Sequence, residues 1–141
     1  MATTASAEMK KLSVVDGEGK VRVLVVDDDP ISRKIHVALV RRFGGVAVTA
    51  ENGEEAVNIH RAGASFNLVL MDKEMPIMDG PSATKELRAM GVTSMIVGVT
   101  SLGNEEEHRE AFMEAGLNQC FGKPLNIEKI APVFNQLKET M

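Results

Sequence analysis

Short apolar runs alternate along this chain with longer stretches in which apolar residues recur at helical spacing. The first run, Val21-Arg22-Val23-Leu24-Val25-Val26, is β-branched and nearly unbroken, and it stops at Asp27-Asp28-Asp29-Pro30. Such a run suits a strand covered on both faces, as in a parallel sheet. Asp29 is placed to cap a helix, and Pro30 to open its first turn, where a missing N–H costs nothing. That helix is expected to carry Ile31, Ile35, Ala38 and Leu39 on one side and to stop near Gly44-Gly45.

The alternation then repeats. Val46 to Ala50 reads as a second strand, and Asn52 as the cap of a helix carrying Ala56, Val57 and Ile59. Phe66 to Met71 is a third strand ending at Asp72, followed by the loop Lys73 to Gly80 and a helix over about Pro81 to Met90. Ser94 to Val99 is a fourth strand ending in Thr100-Ser101, with Asn104 as the expected cap of a helix that Gly116 closes. Leu117 to Phe121 is a fifth strand, followed by Gly122-Lys123-Pro124 and a helix with Ile127, Ile130, Phe134 and Leu137 on one face. Pro132 falls inside that helix, where it removes a donor and crowds the preceding turn, so a kink or a late start is expected. Strands and helices alternating through short loops specify an open parallel α/β sheet with helices on both faces. In such sheets ligands sit outside the carboxyl ends of the strands.

Composition narrows the reading. The 141 residues suit one compact domain. Met1 to Lys20 carries no sustained periodicity and contains the turn-rich Asp16-Gly17-Glu18-Gly19, so residues 1–20 are expected to form a flexible arm and 21–141 the domain. This leaves no room for a second, output-type module. The formal net charge of -4 argues against nucleic-acid binding through bulk charge. No apolar run approaches the ~20 residues of a membrane span, and the first residues lack a secretory signal pattern. The single cysteine, Cys120, cannot form an internal disulfide, which fits a reducing compartment. The expectation is a cytoplasmic monomer, small enough to reach the nucleus by diffusion.

The polar residues at the strand ends carry the chemistry. Asp27 and Asp28 follow the first strand, Asp72 the third, Thr100 the fourth and Lys123 the fifth, so folding brings all of them to one edge of the sheet. Three crowded carboxylates repel one another unless a cation intervenes, and Mg²⁺ is the hard, oxygen-seeking cation that suits them. Lys123 adds a point charge and Thr100 a hydroxyl donor. A metal, a lysine and a hydroxyl together can stabilise a transferring phosphoryl group, leaving one carboxylate as nucleophile. Asp72, alone at a central strand end, is the candidate nucleophile. Asp27 and Asp28 are the candidate metal ligands with Asp72, joined by the backbone carbonyl of Glu74.

This constellation resembles the receiver domain of two-component response regulators. The resemblance rests on Asp27-Asp28, on Asp72 before Met75-Pro76-Ile77-Met78-Asp79-Gly80, on Thr100-Ser101 and on Lys123-Pro124, and it covers Val21 to about Lys138. It implies a flavodoxin-like (βα)5 fold with strand order 2-1-3-4-5, an order known for this family. It also implies Mg²⁺-dependent phosphorylation of Asp72 by a histidine-containing phosphotransfer protein, docked near Ile31, His36, Pro124 and Leu125. Met71 to Pro76 and Thr93 to Ser101 look like plant type-C response regulators, which consist of a receiver alone. Such a protein drains phosphate from a relay, of cytokinin type in plants, or modulates signalling through partners, and is no enzyme with a turnover substrate of its own. Two positions depart from the family pattern. Cys120 stands three residues before Lys123, where family members usually carry the Tyr or Phe that couples phosphorylation to the output surface. Glu74 stands two residues after Asp72, where side chains overhang the site.

Plainer readings stand beside these. Asp29 is a helix cap, and Cys120 in an apolar strand is a small buried hydrophobe. His36, His60 and His108 lie on three separate helices without metal-ligand spacing, and so read as surface or packing residues. Most of the Met residues read as core or loop packing, and Glu105-Glu106-Glu107 as a solvated first turn. A flavin carrier on this fold would need a hydroxyl-rich phosphate loop where Asp27-Asp28-Asp29-Pro30 stands, and an aromatic stack the chain lacks in Trp and Tyr. A metal-dependent phosphatase for small esters is the main alternative, with Glu74 as general acid, but the chain has no cap insertion to close over a substrate. A regulator that is never phosphorylated is disfavoured by the intact site.

Overall fold

A computed structural model of the chain describes residues 19–101 and 106–140, with side chains for all of these except 106–108. The expected arm, apart from Gly19 and Lys20, lies outside the described residues, as do Asn104, the Glu105-Glu106-Glu107 side chains and the His108 side chain. The elements run β1 (Arg22–Val26), α1 (Pro30–Arg42), β2 (Val46–Ala50), α2 (Gly53–Arg61), β3 (Leu68–Asp72), α3 (Gly80–Ala89), β4 (Met95–Thr100), α4 (Glu106–Glu114), β5 (Gln119–Gly122) and α5 (Ile127–Glu139). All five strands pair in parallel, in the order β2-β1-β3-β4-β5. This is the flavodoxin-like doubly wound sheet that the sequence specified.

The central strands β1, β3 and β4 are buried on both faces, whereas the edge strands β2 and β5 are partly exposed, and the buried residues sort by parity. Val23, Val25, Leu68, Leu70, Val97 and Val99 pack with residues of α1 and α5, including Val40, Ile130 and Phe134. Leu24, Val26, Val69, Met71 and Ile96 pack with α2, α3 and α4 through Ala56, Val57, Ala83, Leu87 and Phe112. Asp27 continues the phase of Val23 and Val25, and Asp72 that of Leu68 and Leu70. In the β1–β3 register Val26 lies opposite Met71. One step further on, the two acids are neighbours on the side that α1 and α5 cover.

β3, β4 and β5 begin one or two residues later than their apolar runs. Phe66 and Leu117 are buried but precede the ladder, because burial and strand pairing are separate requirements. Asn67 and Asn118 close the ladder there instead, their side-chain oxygens accepting from the backbone N–H of Arg22 at 2.8 Å and Ile96 at 2.7 Å.

Two helix expectations need correction. On α1 the packed residues are His36 and Val40, with Val37 and Leu39 partly buried. Ile31 is 69% exposed and Ile35 49%, and Ala38 is exposed too. The Asp29 cap fixes where the helix starts, and that start turns the isoleucines outward although they look like the apolar face. α5 neither starts late nor breaks: Asn126 accepts from Lys129 N at 2.9 Å, and the helix continues through Pro132 to Glu139. Pro132 lies on the exposed side, where water can serve the carbonyl it leaves without a donor.

The loop from β3 to α3 is tightly determined. Gly80 sits against the Asp72 carbonyl with no room for a Cβ, and its N–H donates to Lys73 O at 2.8 Å. Ile77, three-quarters exposed, takes φ 70°, and Met78 N–H donates to Pro76 O at 2.7 Å across it. A β-branched residue in this left-handed region is strained. Ile77→Asn is expected to stabilise the fold by about 1 kcal/mol, since Asn tolerates the conformation and little burial is lost. Urea unfolding midpoints at equal slope check this, and a destabilised variant would show that the Ile77 side chain contributes packing instead.

Candidate functional site

Asp27, Asp72, Thr100 and Lys123 meet where β1, β3, β4 and β5 end. Asp27 is 0% and Asp72 6% exposed, Thr100 is buried, and Asp28 is exposed. The strand ends are tied by backbone bonds. Asp27 N–H donates to Ala50 O at 3.1 Å, Lys73 N–H to Val99 O at 2.9 Å, and Lys123 N–H to Thr100 O at 2.8 Å. Each side chain is thus carried by a rigid edge.

Lys123 Nζ lies 3.1 Å from Asp27 Oδ2 and 3.1 Å from Asp72 Oδ1. Asp27 Oδ1 accepts from the Asp29 N–H at 2.9 Å, and the Arg33 guanidinium donates to the Asp27 carbonyl at 2.7 Å. His36 Nδ1 stands 3.9 Å from Asp27 Oδ2. Burial pushes the Asp72 carboxyl up from 3.8 to about 6; the nearby Asp27 charge adds to this, and Lys123 opposes it. Burial would lower the Lys123 ammonium, but Asp72 and Asp27 reverse this and hold it above its ordinary value. Burial also lowers the His36 imidazole, against the attraction of Asp27, which favours a neutral ring.

One carboxylate oxygen from each of Asp27, Asp28 and Asp72 lies within 4.8 Å of the others. An all-oxygen set of this kind fits a hard divalent cation such as Mg²⁺. Two of the three are buried and share the Lys123 ammonium between them, so the three carboxylates carry more negative charge than this lysine balances, and a cation would offset the surplus. Glu74 is exposed in the loop after β3.

Among the residues expected at a docking surface, Ile31 and Pro124 are exposed, whereas His36 and Leu125 are buried and need correction. His36 packs behind Asp27, and Leu125 enters the core shared by α1 and α5. The Lys123–Pro124 bond is cis. Cys120 is buried with the α2–α4 core, and burial raises its thiol, so it is the small hydrophobe that its strand position suggests. Ile35 and Ile127, half-exposed beside these positions in sequence, were not anticipated, because apolar periodicity alone cannot tell a core-facing stripe from an outward one. Ser32 and Arg33 were missed too. An unremarkable polar pair in a first helical turn becomes visible only when the helix start is fixed against β1. His60 donates through Nδ1 to Ala56 O at 2.7 Å and meets Phe66 edge-on, as a packing residue. Among the described residues no helix is long and apolar enough to cross a membrane.

Comparison with known proteins agrees with this geometry. The chain is 54% identical over 139 residues to the two-component response regulator ARR22 of Arabidopsis thaliana, covering 97% of this chain and 98% of that protein. It is 43% identical to the two-component response regulator ORR41 of Oryza sativa subsp. japonica, covering 84% and 94%. These relatives bear out the resemblance to plant response regulators. Among solved structures, the receiver domain of Ssk1, in complex with the Saccharomyces cerevisiae histidine phosphotransfer protein Ypd1, superposes with a TM-score of 0.77 at 26% identity, over 86% of this chain and 90% of that one. The receiver domain of the Pseudomonas aeruginosa sensor kinase PA1611, with a magnesium ion in its active-site cleft, superposes with a TM-score of 0.75 at 25% identity, over 85% and 98%. The response regulator receiver domain family matches residues 23–135, most of the chain, and the chain belongs to that family.

Proposed function

We propose that this protein is a phosphorelay receiver that takes a phosphoryl group from a histidine-containing phosphotransfer protein onto Asp72. The observation that carries the reading is the convergence of three carboxylates within 4.8 Å with an ammonium 3.1 Å from two of them. Asp72, ionised at neutral pH despite its raised carboxyl, attacks the phosphorus of the donor's phosphoimidazole. The phosphorus–oxygen bond forms as the phosphorus–nitrogen bond breaks, and the departing imidazole keeps the electron pair. Lys123 holds the carboxylates and then pairs with a phosphoryl oxygen, while the Thr100 hydroxyl donates to another. Asp27, Asp28, Asp72 and the Glu74 carbonyl would hold Mg²⁺, which supplies charge neutralisation when bound.

The magnesium in the PA1611 receiver and the phosphotransfer partner of Ssk1 support the cofactor and the partner class. The partner docks across exposed Ile31 and Pro124, with Ile35 and Ile127 extending the apolar surface. With Cys120 in place of the switch aromatic, the phosphoryl group ends in hydrolysis or partner binding, as in a phosphate drain or modulator of a plant cytokinin-type relay. The protein acts as a cytoplasmic monomer and phosphoacceptor, not as an enzyme with a turnover substrate.

A labelled phosphotransfer protein mixed with this chain and Mg²⁺ tests the proposal. Label is expected to move to this chain and then to free phosphate, with no transfer when EDTA removes the metal. Metal-independent transfer, or turnover of small phosphate esters without a phosphotransfer protein, would reject it.

A further inference from the structure

Lys123 has three ammonium protons, and the structure gives each a partner. Two go to Asp27 Oδ2 and Asp72 Oδ1 at 3.1 Å, and the third to Ser32 Oγ at 3.2 Å. We infer that Ser32 is a positioning residue for phosphoryl transfer, its hydroxyl taking the ammonium proton that the carboxylates leave over and so holding Lys123 between Asp27 and Asp72. The inference rests on the proposed function and adds to it a residue outside the strand ends.

The argument is geometric. A lysine stem is flexible and has many rotamers to lose, and this one is part-exposed at a site where two acids compete for it. Two acceptors leave the ammonium free to swing about the line joining them, whereas a third, off that line, fixes the nitrogen. Ser32 is well suited to be that third point because its own position is fixed. It is the third residue of α1, its N–H donates to Asp29 Oδ2 at 3.4 Å, and its neighbour Arg33 donates through N–H to Asp29 O at 2.9 Å. The Arg33 guanidinium ties the same turn to the Asp27 carbonyl. The first turn of α1 and the end of β1 therefore form one braced unit. The Ser32 hydroxyl accepts from Lys123 and keeps its own proton, so the contact adds no charge to a site already rich in carboxylate.

The test compares wild type, Ser32→Ala and Ser32→Thr in two measurements. In single-turnover transfer from a phosphorylated phosphotransfer protein with Mg²⁺, Ser32→Ala is expected to lower the rate at saturating donor about tenfold, with the half-saturating donor concentration unchanged. Ser32→Thr keeps the hydroxyl and is expected to restore the rate to within about twofold. In ¹⁵N-labelled protein, the Lys123 ammonium signal is expected to be protected from exchange in wild type and Ser32→Thr and lost in Ser32→Ala. Equal saturating rates in all three proteins would overturn the inference. So would a rise only in half-saturating concentration, which would make Ser32 a docking contact, or a slow Ser32→Thr, which would make shape rather than the hydroxyl decisive. If wild type accepts no label the proposed function fails, and the ammonium signal still decides whether Ser32 holds Lys123.

Discussion

Asp72→Asn is expected to abolish phosphoryl uptake while leaving the fold intact, and to remove a pH dependence from the stability of the metal-free protein. The amide nitrogen and oxygen keep the volume of the side chain but offer no anionic nucleophile, so no acyl phosphate forms. The stability effect follows from the raised carboxyl. In the unfolded chain Asp72 releases its proton near pH 4, but in the folded protein only near pH 6. Between those values the native state holds a proton that the unfolded state has lost, so wild-type stability falls as pH rises. The full difference is about 3 kcal/mol, present below pH 4 and lost by about pH 7. Asn has no proton to lose, so the variant lacks this slope and is at least as stable as wild type at neutral pH without metal. Urea unfolding in EDTA from pH 4.5 to 7.5 reads the slope, and labelled transfer reads the uptake. Efficient Mg²⁺-dependent transfer to the Asn variant would end the assignment of Asp72, and parallel pH profiles would end the account of its raised carboxyl.

The parts of this site that lie at strand ends were legible in the sequence. An unbroken apolar run defines a buried parallel strand, and the first polar residues after it mark the sheet edge, so Asp27, Asp72, Thr100 and Lys123 can be gathered from the amino-acid sequence alone. The helix faces were less legible. On α1 the stripe Ile31-Ile35-Ala38 looks like a core face by spacing, yet it points to solvent, while His36 is buried behind Asp27. Periodicity reports that one side is apolar and not whether the sheet or a partner covers it. Leu125 was misplaced for a related reason, since exposed Pro124 and buried Leu125 are adjacent in sequence and opposite in space. Ser32 was invisible for a third reason. Its role depends on a contact across 91 positions, and no local pattern encodes the reach of a lysine.

Lys123→Met is expected to destabilise the metal-free protein by about 3 kcal/mol at pH 7 and to slow phosphoryl uptake at least about 100-fold. Removing the ammonium leaves Asp27 and Asp72 facing each other in a buried site with no counter-charge from β5. Lys123 holds the Asp72 carboxyl down, so in the variant that carboxyl rises above its wild-type value of about 6. The raised carboxyl again favours the native state at low pH, so the deficit relative to wild type shrinks towards pH 4.5 and grows towards pH 7.5. A deficit of equal size at both pH values would mean that the lysine stem contributes packing and its charge little. Magnesium is expected to restore part of the stability, because the carboxylates it pairs with are those the lysine left behind. Uptake is expected to stay slow, since a metal held by the acids does not replace the donor aimed at the phosphoryl oxygens from Lys123. Lys123→Arg separates charge from shape. Its guanidinium restores a positive charge, and so most of the stability at pH 7, but its donors lie in one plane. Asp27 Oδ2, Asp72 Oδ1 and Ser32 Oγ are grouped around a single tetrahedral nitrogen, and a planar fork cannot serve all three, so the Arg variant should fold well and transfer poorly.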